Sequence, residues 1–353
     1  MKINAFSLCL LLVSLTLAIA KLSCLDRNGK DVPWFTLLKF PGSVTKTGER
    51  YAYFDDNSGG AYEIVNGTLA DGKDEPLAKT IESINAISKS HINLYVYNDE
   101  YPVADPNLTT TYNAHAKGII AYDNDTRSGV YIMHSLPKFP QVTNSTGHID
   151  YNFPDTTDIY GQNMYCISLD KEILQQILTY LPLEKPNAYY ASGLFENFHT
   201  DSKANYTVTQ FTLLNGDNQW LFTKNPKYPG YLYEDVISDY FQVALAVESW
   251  GRPYQANACP PSVPFAVYNI LKIALDDVNT WDHTSDHSKW AVTVNDDKTK
   301  LACLCDMNRM TSQSSRGGSC LCSDNKNLYK ALTGVFSQGD PCSATEKISL
   351  DKM

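Results

Sequence analysis

The strongest constraint on the fold is an internal repeat. Residues 114–135, "AHAKGIIAYDNDTRSGVYIMHS", align without a gap on residues 286–307, "DHSKWAVTVNDDKTKLACLCDM". His115 falls on His287, Lys117 on Lys289, Asp125 on Asp297 and His134 on Asp306. Each copy is an apolar run, a polar turn and a second apolar run, which is the pattern of a β-hairpin. Side chains two apart on a strand share a face, so each His-x-Lys pair presents an imidazole and an ammonium about 6–7 Å apart. One such pair reads as an ordinary solvated strand face. Its recurrence in both copies points to a cradle for an anion.

A two-residue turn at Asn124-Asp125 sets His115 opposite His134, and one at Asp296-Asp297 sets His287 opposite Asp306. Directly opposed residues on one face lie within about 5.5 Å. Cys303 and Cys305 share the face opposite to that of Asp306. Pairing Cys303 with Cys322 and Cys305 with Cys320 keeps the sum of residue numbers constant, as an antiparallel ladder requires. Two nested bridges would then clamp the loop 306–319, "DMNRMTSQSSRGGS".

Residues 5–20, "AFSLCLLLVSLTLAIA", follow Lys2 and end in Ala18-Ile19-Ala20. This is the pattern of a secretory signal peptide cut after Ala20, and it is short for a membrane span. Of nine cysteines, Cys9 leaves with that segment. The remaining Cys24, Cys166, Cys259, Cys303, Cys305, Cys320, Cys322 and Cys342 suit four disulfides in an oxidising route. Zinc is the rival reading for Cys303-x-Cys305 and Cys320-x-Cys322, but their spacing is narrower than in zinc sites. Glycosylation sequons at Asn66, Asn107, Asn124, Asn144 and Asn205 fit the same route. The formal charge of −10 repels nucleic acid on average at neutral pH. A polyanion must therefore meet a local basic site, or a pH at which carboxylates are partly protonated.

Elsewhere, "VPWFTLLKF" (32–40) and "INLYVYND" (92–99) read as strands. "LAKTIESINAI" (77–87) and "DKEILQQILTYL" (170–181, capped by Asp170) read as helices, and "SVPFAVYNILKIAL" (262–275) as a further candidate helix. Strands and helices in both halves indicate an α/β or α+β class.

Nine segments in order carry a resemblance. "DVPWFTLLKFP", "YAYFDDNSGGAY", "LYVYNDEYP", "HAKGIIAYD", "MHSLPKFP", "YGQNMYCIS", "DHSKWAV", "CDMNRM" and "RGGSCLC" run from residue 31 to 322. Together they resemble deoxyribonuclease II, the acid endonuclease of lysosomes and secretions. The two His-x-Lys elements also resemble those of the phospholipase D superfamily, whose members build one site from two such motifs. The resemblance implies a pseudo-symmetric, phospholipase D-like α/β fold of two mixed sheets flanked by helices. It implies half-domains of roughly 21–185 and 186–353, each with one motif. It implies DNA as partner, and cleavage to 3′-phosphate and 5′-hydroxyl ends without metal or cofactor. It further implies a monomer or homodimer in the secretory pathway, lysosomal or extracellular, that degrades engulfed, apoptotic or extracellular DNA. His115 and Lys117 carry over as the first half-site, His287 and Lys289 as the second, with Asn308 and His134 as further matching residues. Cys24–Cys166, Cys259–Cys342 and Cys303–Cys322 match its bridges, whereas Cys305 and Cys320 depart from its pattern.

Phosphodiester cleavage needs a nucleophile, a proton for the leaving oxygen and positive charge at the nonbridging oxygens. Two histidines and two lysines provide all three. With the turns above, Asp306 raises the pKa of His287 and makes it the acid, while His115, beside Lys117, stays neutral and attacks. His134 is a supporting or a structural histidine. His91, His148, His199 and His283 carry no comparable signal, and His283 is expected at the surface. Lys138, Arg252, Arg309 and Arg316 are candidates for flanking phosphates or plain structural charges. "ESWGR" (248–252) receives no chemistry. Two other readings stand beside the nuclease. One is a catalytically silent, secreted polyanion-binding relative. The other is a lipid enzyme of the phospholipase D type, for which the acid expected after each lysine is absent.

Overall fold

Runs of β-branched and aromatic residues build two sheets. The computed structural model describes residues 20–350 apart from 46–48, 73, 103–112, 252, 254 and 296–297. The expected signal peptide up to Ile19, Asn107, Arg252 and the Asp296-Asp297 turn thus lie outside the described residues.

The first sheet has eight strands. In spatial order they are Ala188–Ala191, Ile92–Asn98, Lys117–Asp123, Ser128–His134, Gln162–Leu169, Trp34–Lys39, Tyr51–Asp55 and Glu63–Ile64. The second has nine: Tyr206–Thr212, Asn218–Lys224, Gly318–Ser323, Ala302–Cys305, Trp290–Val294, Ala244–Glu248, Val267–Ala274 and Thr280–Asp282, with Phe336–Gly339 also paired to Val267–Ala274. Every pairing in the first sheet is antiparallel. The second contains the parallel pair Ala244–Glu248 with Val267–Ala274, so it alone is mixed. Each half places its His-x-Lys strand between a preceding strand and the second arm of its hairpin.

Three helices cover these sheets. Pro76–Asn85 starts with proline, which suits a first turn, and buries Leu77, Ile81 and Ile84 against the outer face of the first sheet. Lys171–Tyr180 is capped by Asp170, whose carboxylate accepts the Ile173 N–H at 2.8 Å, an interaction worth about 1 kcal/mol. Lys326–Val335 is capped the same way by Asn325 on Leu328. These last two lie between the sheets rather than outside them. The first touches the Gln162–Leu169 and Tyr206–Thr212 strands, and the second touches Trp290–Val294, Ala302–Cys305 and Tyr51–Asp55. Ile173, Ile177, Leu328 and Leu332 therefore join residues of both sheets in one core.

Three expectations are corrected. The 262–275 segment is a strand over Val267–Ala274, not a helix. Val267 packs into one core and Tyr268, Ile270 and Ile273 into another, so the strand is buried on both faces, and such a strand shows no alternation to distinguish it from a helix. The first hairpin runs from Asp123↔Ser128 to Gly118↔Met133, so His134 falls beside Lys117 and not opposite His115. Its turn spans 124–127 because Asp123 accepts the Asp125 N–H at 3.1 Å and the Thr126 hydroxyl at 2.6 Å, and Arg127 adopts a left-handed φ of 54°. The second hairpin pairs Trp290↔Leu304 and Val292↔Ala302, with Cys305 N–H on the Lys289 carbonyl at 2.9 Å. His287 therefore does not face Asp306. Asn295, at a φ of 56° and bonded to Ser349 and Tyr268, widens this turn. The repeat is thus in step before the turn and shifted by one residue after it.

All four disulfides form: Cys24–Cys166, Cys259–Cys342, Cys303–Cys322 and Cys305–Cys320. The last two sit on the ladder pairs Cys303↔Cys322 and Cys305↔Cys320. The sequon residues Asn66, Asn124, Asn144 and Asn205 are exposed.

Each half holds the other's motif. His115 N–H donates to the Gly317 carbonyl at 2.9 Å, and Gly317 N–H to Asn113 at 2.7 Å. In mirror fashion His287 N–H donates to Gly161 at 2.8 Å, and Gly161 N–H to Ser285 at 2.8 Å. Glycine is needed for the approach: a Cβ on Gly317 would lie 2.0 Å from the Glu184 carbonyl oxygen. Gly317→Ala should cost about 1–3 kcal/mol in denaturant unfolding. Gly334→Ala, with open space on the exposed side of the last helix, should instead stabilise by up to about 1 kcal/mol. Equal effects of the two changes would contradict this packing.

Candidate active site

The mutual anchoring brings both motifs to one cleft of about 400 Å³ between the halves. His115, Lys117, His287 and Lys289 line it, with Asp99, Glu100, Ser135, Pro137, Trp250, Asn308, Gln313 and Arg316. Lys117 and Lys289 are almost wholly buried, so their ammonium groups form the floor.

The hydrogen bonds fix one tautomer. His115 Nδ1 lies 2.7 Å from the backbone carbonyl of Asp306, which can only accept, so Nδ1 carries the proton and Nε2 keeps its lone pair in the neutral ring. Nε2 stands 3.8 Å from Asp99 Oδ2. The same carboxylate accepts from Lys117 Nζ and, at 3.0 Å, from Arg316. Burial opposes the charge on Asp99, but Lys117, His115 and Arg316 outweigh it and hold the carboxyl below its usual range.

His287 has a different environment. Its ring stacks on Tyr160 with centroids 3.9 Å apart and meets Trp250 at 4.8 Å. Its buried Nε2 has no hydrogen-bond partner among the described residues. Burial first, then Lys289, Lys117 and Lys39, push its pKa down to about 2. His115 is also pushed well below the usual imidazole value by burial and Lys117, with Asp99 acting against them. Lys289 is brought down to about 7 by burial and by Lys117. Its N–H is held by Asn163 Oδ1 at 2.9 Å, and its Nζ donates to the His287 carbonyl.

Supporting residues sort clearly. Asp306 accepts with its carboxylate from the Ser319 N–H (2.7 Å) and hydroxyl (2.9 Å), and burial raises it to about 7. Ser135 is its counterpart in the first half, its hydroxyl accepting the Asn163 N–H at 2.9 Å. His134 is fully buried edge-on against Phe139, and burial followed by Lys117 lowers it to about 3. Asn308 lines the cleft with an amide oxygen that has no hydrogen-bond partner among the described residues, while its N–H is held by Gln313. Arg309 is buried and saturated by Glu234, Asn269 and backbone carbonyls, so it is structural. Lys138 is exposed and outside the cleft lining. His91, His148 and His199 are exposed, whereas His283 is buried, against expectation.

Sequence reasoning passed over Asp99, Trp250 and Tyr160, and left Arg316 undecided. Each lies in or beside a segment already singled out: "LYVYNDEYP", "ESWGR", "YGQNMYCIS" and "RGGSCLC". Lys224 secures the Arg316 loop by donating to the Ser314 and Arg316 carbonyls at 2.7 and 2.8 Å. Among the described residues, no group of three His, Cys, Asp or Glu side chains is arranged to hold a metal ion, and no helix is long and apolar enough to cross a membrane.

Comparison with known proteins places this geometry. The family model described as deoxyribonuclease II matches residues 23–342. Among curated relatives, cell-death-related nuclease 7 of Caenorhabditis elegans is 26% identical, covering 94% of this chain and 90% of its own. Plancitoxin-1 of Acanthaster planci is 29% identical over 91% of this chain and 92% of its own. Deoxyribonuclease-2-beta of Rattus norvegicus is 28% identical over 91% and 93%. The chain belongs to the deoxyribonuclease II family and is a DNA-degrading nuclease.

Proposed function

We propose that the protein is an acid endonuclease that hydrolyses DNA phosphodiesters without a metal, through a phosphohistidine, leaving 3′-phosphate and 5′-hydroxyl ends. One observation carries this reading: two His-x-Lys elements from separate halves meet in one cleft. They supply a nucleophile, a proton donor and two cations, which is the full requirement of the reaction.

The two histidines take roles opposite to those inferred from sequence, because the pairing of His287 with Asp306 does not form. His287, with a free Nε2 and a depressed pKa, is the nucleophile. His115, with a carboxylate near Nε2, is the acid. The His287 lone pair forms the P–N bond while P–O5′ breaks and O5′ takes the Nε2 proton of His115. Water then attacks phosphorus, gives a proton to His115, and the P–N bond breaks to release the 3′-phosphate. A bound phosphodiester adds negative charge beside His115 and favours its imidazolium form. Lys117, Lys289 and Arg316 hold the nonbridging oxygens.

The same electrostatics favour acid conditions. Lys289 is charged below about pH 7 and neutral above it, and Asp306 is neutral below about 7 and charged above it. Falling pH therefore adds one positive charge and removes one negative charge around the cleft. An ordinary imidazole would be protonated and useless as a nucleophile at pH 5. His287, held down to about 2, stays neutral there. The expected setting is the secretory pathway, lysosomal or extracellular. The expected task is digestion of DNA from engulfed or dying cells, a reading supported by the similarity to cell-death-related nuclease 7.

Three outcomes follow. Plasmid DNA should be cut at pH 5 in excess EDTA; loss of cutting that magnesium or calcium restores would refute the metal-free mechanism. The pH profile of kcat/KM should fall as pH rises through about 7, where Lys289 loses its proton; a profile rising through that range would contradict the assignment. His287→Ala should abolish hydrolysis of both DNA and thymidine 3′-(p-nitrophenyl phosphate). His115→Ala should lose about 10²–10⁴-fold on DNA, yet still release p-nitrophenol in a burst and accumulate phosphohistidine, since that leaving group needs no proton. The reverse pattern would exchange the roles.

A further inference from the structure

The two half-sites differ in the residue set beside each histidine. Asn98 pairs with Lys117 in the first half. Glu248 pairs with Trp290 in the second, and continuing that register by one residue sets Ser249 opposite Lys289. The next residue outward is Asp99 in the first half and Trp250 in the second. Both line the cleft, Asp99 against His115 and Trp250 against His287. Near-symmetric backbones thus present a carboxylate to one histidine and an aromatic ring to the other.

Asp99 is only 8% exposed, and a buried carboxylate is costly unless it is paired. It is paired twice, by Lys117 and by Arg316, and stands 3.8 Å from His115 Nε2, from which it can accept once the ring is protonated. Arg316 is itself fixed, since its guanidinium also donates to the Ala114 carbonyl at 2.6 Å. We propose that Asp99 is a positioning residue of the reaction: held in place by Lys117 and Arg316, it makes His115, rather than His287, the histidine that delivers the proton. This rests on the two-histidine reading above. It also answers an absence in the sequence. The acid expected after each lysine in phospholipase D-like motifs is missing from both copies, and the residue that follows the neighbouring strand places one beside His115, where the second half has Trp250 beside His287.

The charged groups facing His115 are Asp99 at the end of the Ile92–Asn98 strand, Lys117 on its own strand, Lys289 from the second half and Arg316 from the loop, with Asp306 offering only its carbonyl. Among the described residues, Asp99 is the one anion whose side chain acts on the ring, so neutralising it makes the imidazolium harder to form.

The test is Asp99→Asn, which is nearly isosteric, compared with Asp99→Glu and His115→Ala. On DNA, Asp99→Asn should lower kcat at least tenfold and move the alkaline limb of its kcat profile at least one unit toward acid. On thymidine 3′-(p-nitrophenyl phosphate) its kcat should stay within about threefold of the parent, and Asp99→Glu should recover part of the DNA activity. Equal losses on both substrates with no shift of the limb would overturn the proposal and reduce Asp99 to a structural ion-pair partner. Failure of the underlying reading has a different signature. His115→Ala would then lose the activated substrate as completely as DNA, whatever Asp99→Asn does.

Discussion

Four backbone hydrogen bonds carry the arrangement of the site. His115 and His287 are each pinned by a glycine carbonyl of the opposite half, and each glycine returns an N–H to the residue two before the histidine. These are short parallel bridges, Ala114 with Gly317 and Asp286 with Gly161, in a molecule otherwise built from antiparallel ladders and one parallel pair. Without them the motifs would sit at the ends of two separate sheets. With them, each half contributes an imidazole to the cleft and the clamp for the other's. The two helices between the sheets and the core they share make this geometry rigid.

Much of this was legible from residue order. The hairpins, the nested bridges at Cys303, Cys305, Cys320 and Cys322, and the His-x-Lys pairs were all read from periodicity and spacing. The registers were not, because a hairpin's register depends on its turn. Asp123 captures the backbone of a four-residue turn, and Asn295 is drawn toward Ser349, which is distant in sequence. One residue of slip turned Asp306 from a partner of His287 into a partner of Ser319, and with it the roles we propose for the histidines. The Val267–Ala274 strand was misread for a related reason: burial on both faces erases the alternation that marks a strand. Asp99 and Trp250 were invisible as a pair, since only the folded register aligns residues that the gap-free repeat does not include.

Burial gives the cleft its chemical character. In water an imidazole and an ammonium are poorly matched to acid catalysis, because the nucleophile would be protonated first. Sinking His287 between Tyr160 and Trp250, with three lysines acting on it, disfavours the second proton. Asp99 partly restores that option to His115. Two chemically identical side chains acquire unequal protonation from an acid on one side and aromatic rings on the other.

The nested bridges have a consequence for the loop they close. Residues 306–319 carry the carbonyl that orients His115, the Asn308 amide, the Arg316 guanidinium and the Gly317 clamp. Both ends of the loop leave from strands joined by two adjacent sulfur links. A protease that severs one peptide bond in this loop frees no fragment, because the new ends remain stapled at the base. Lys224 and Ser319 continue to grip the two sides from within the sheet. The chain can be nicked within the segment that carries these cleft residues and persist as one covalent molecule.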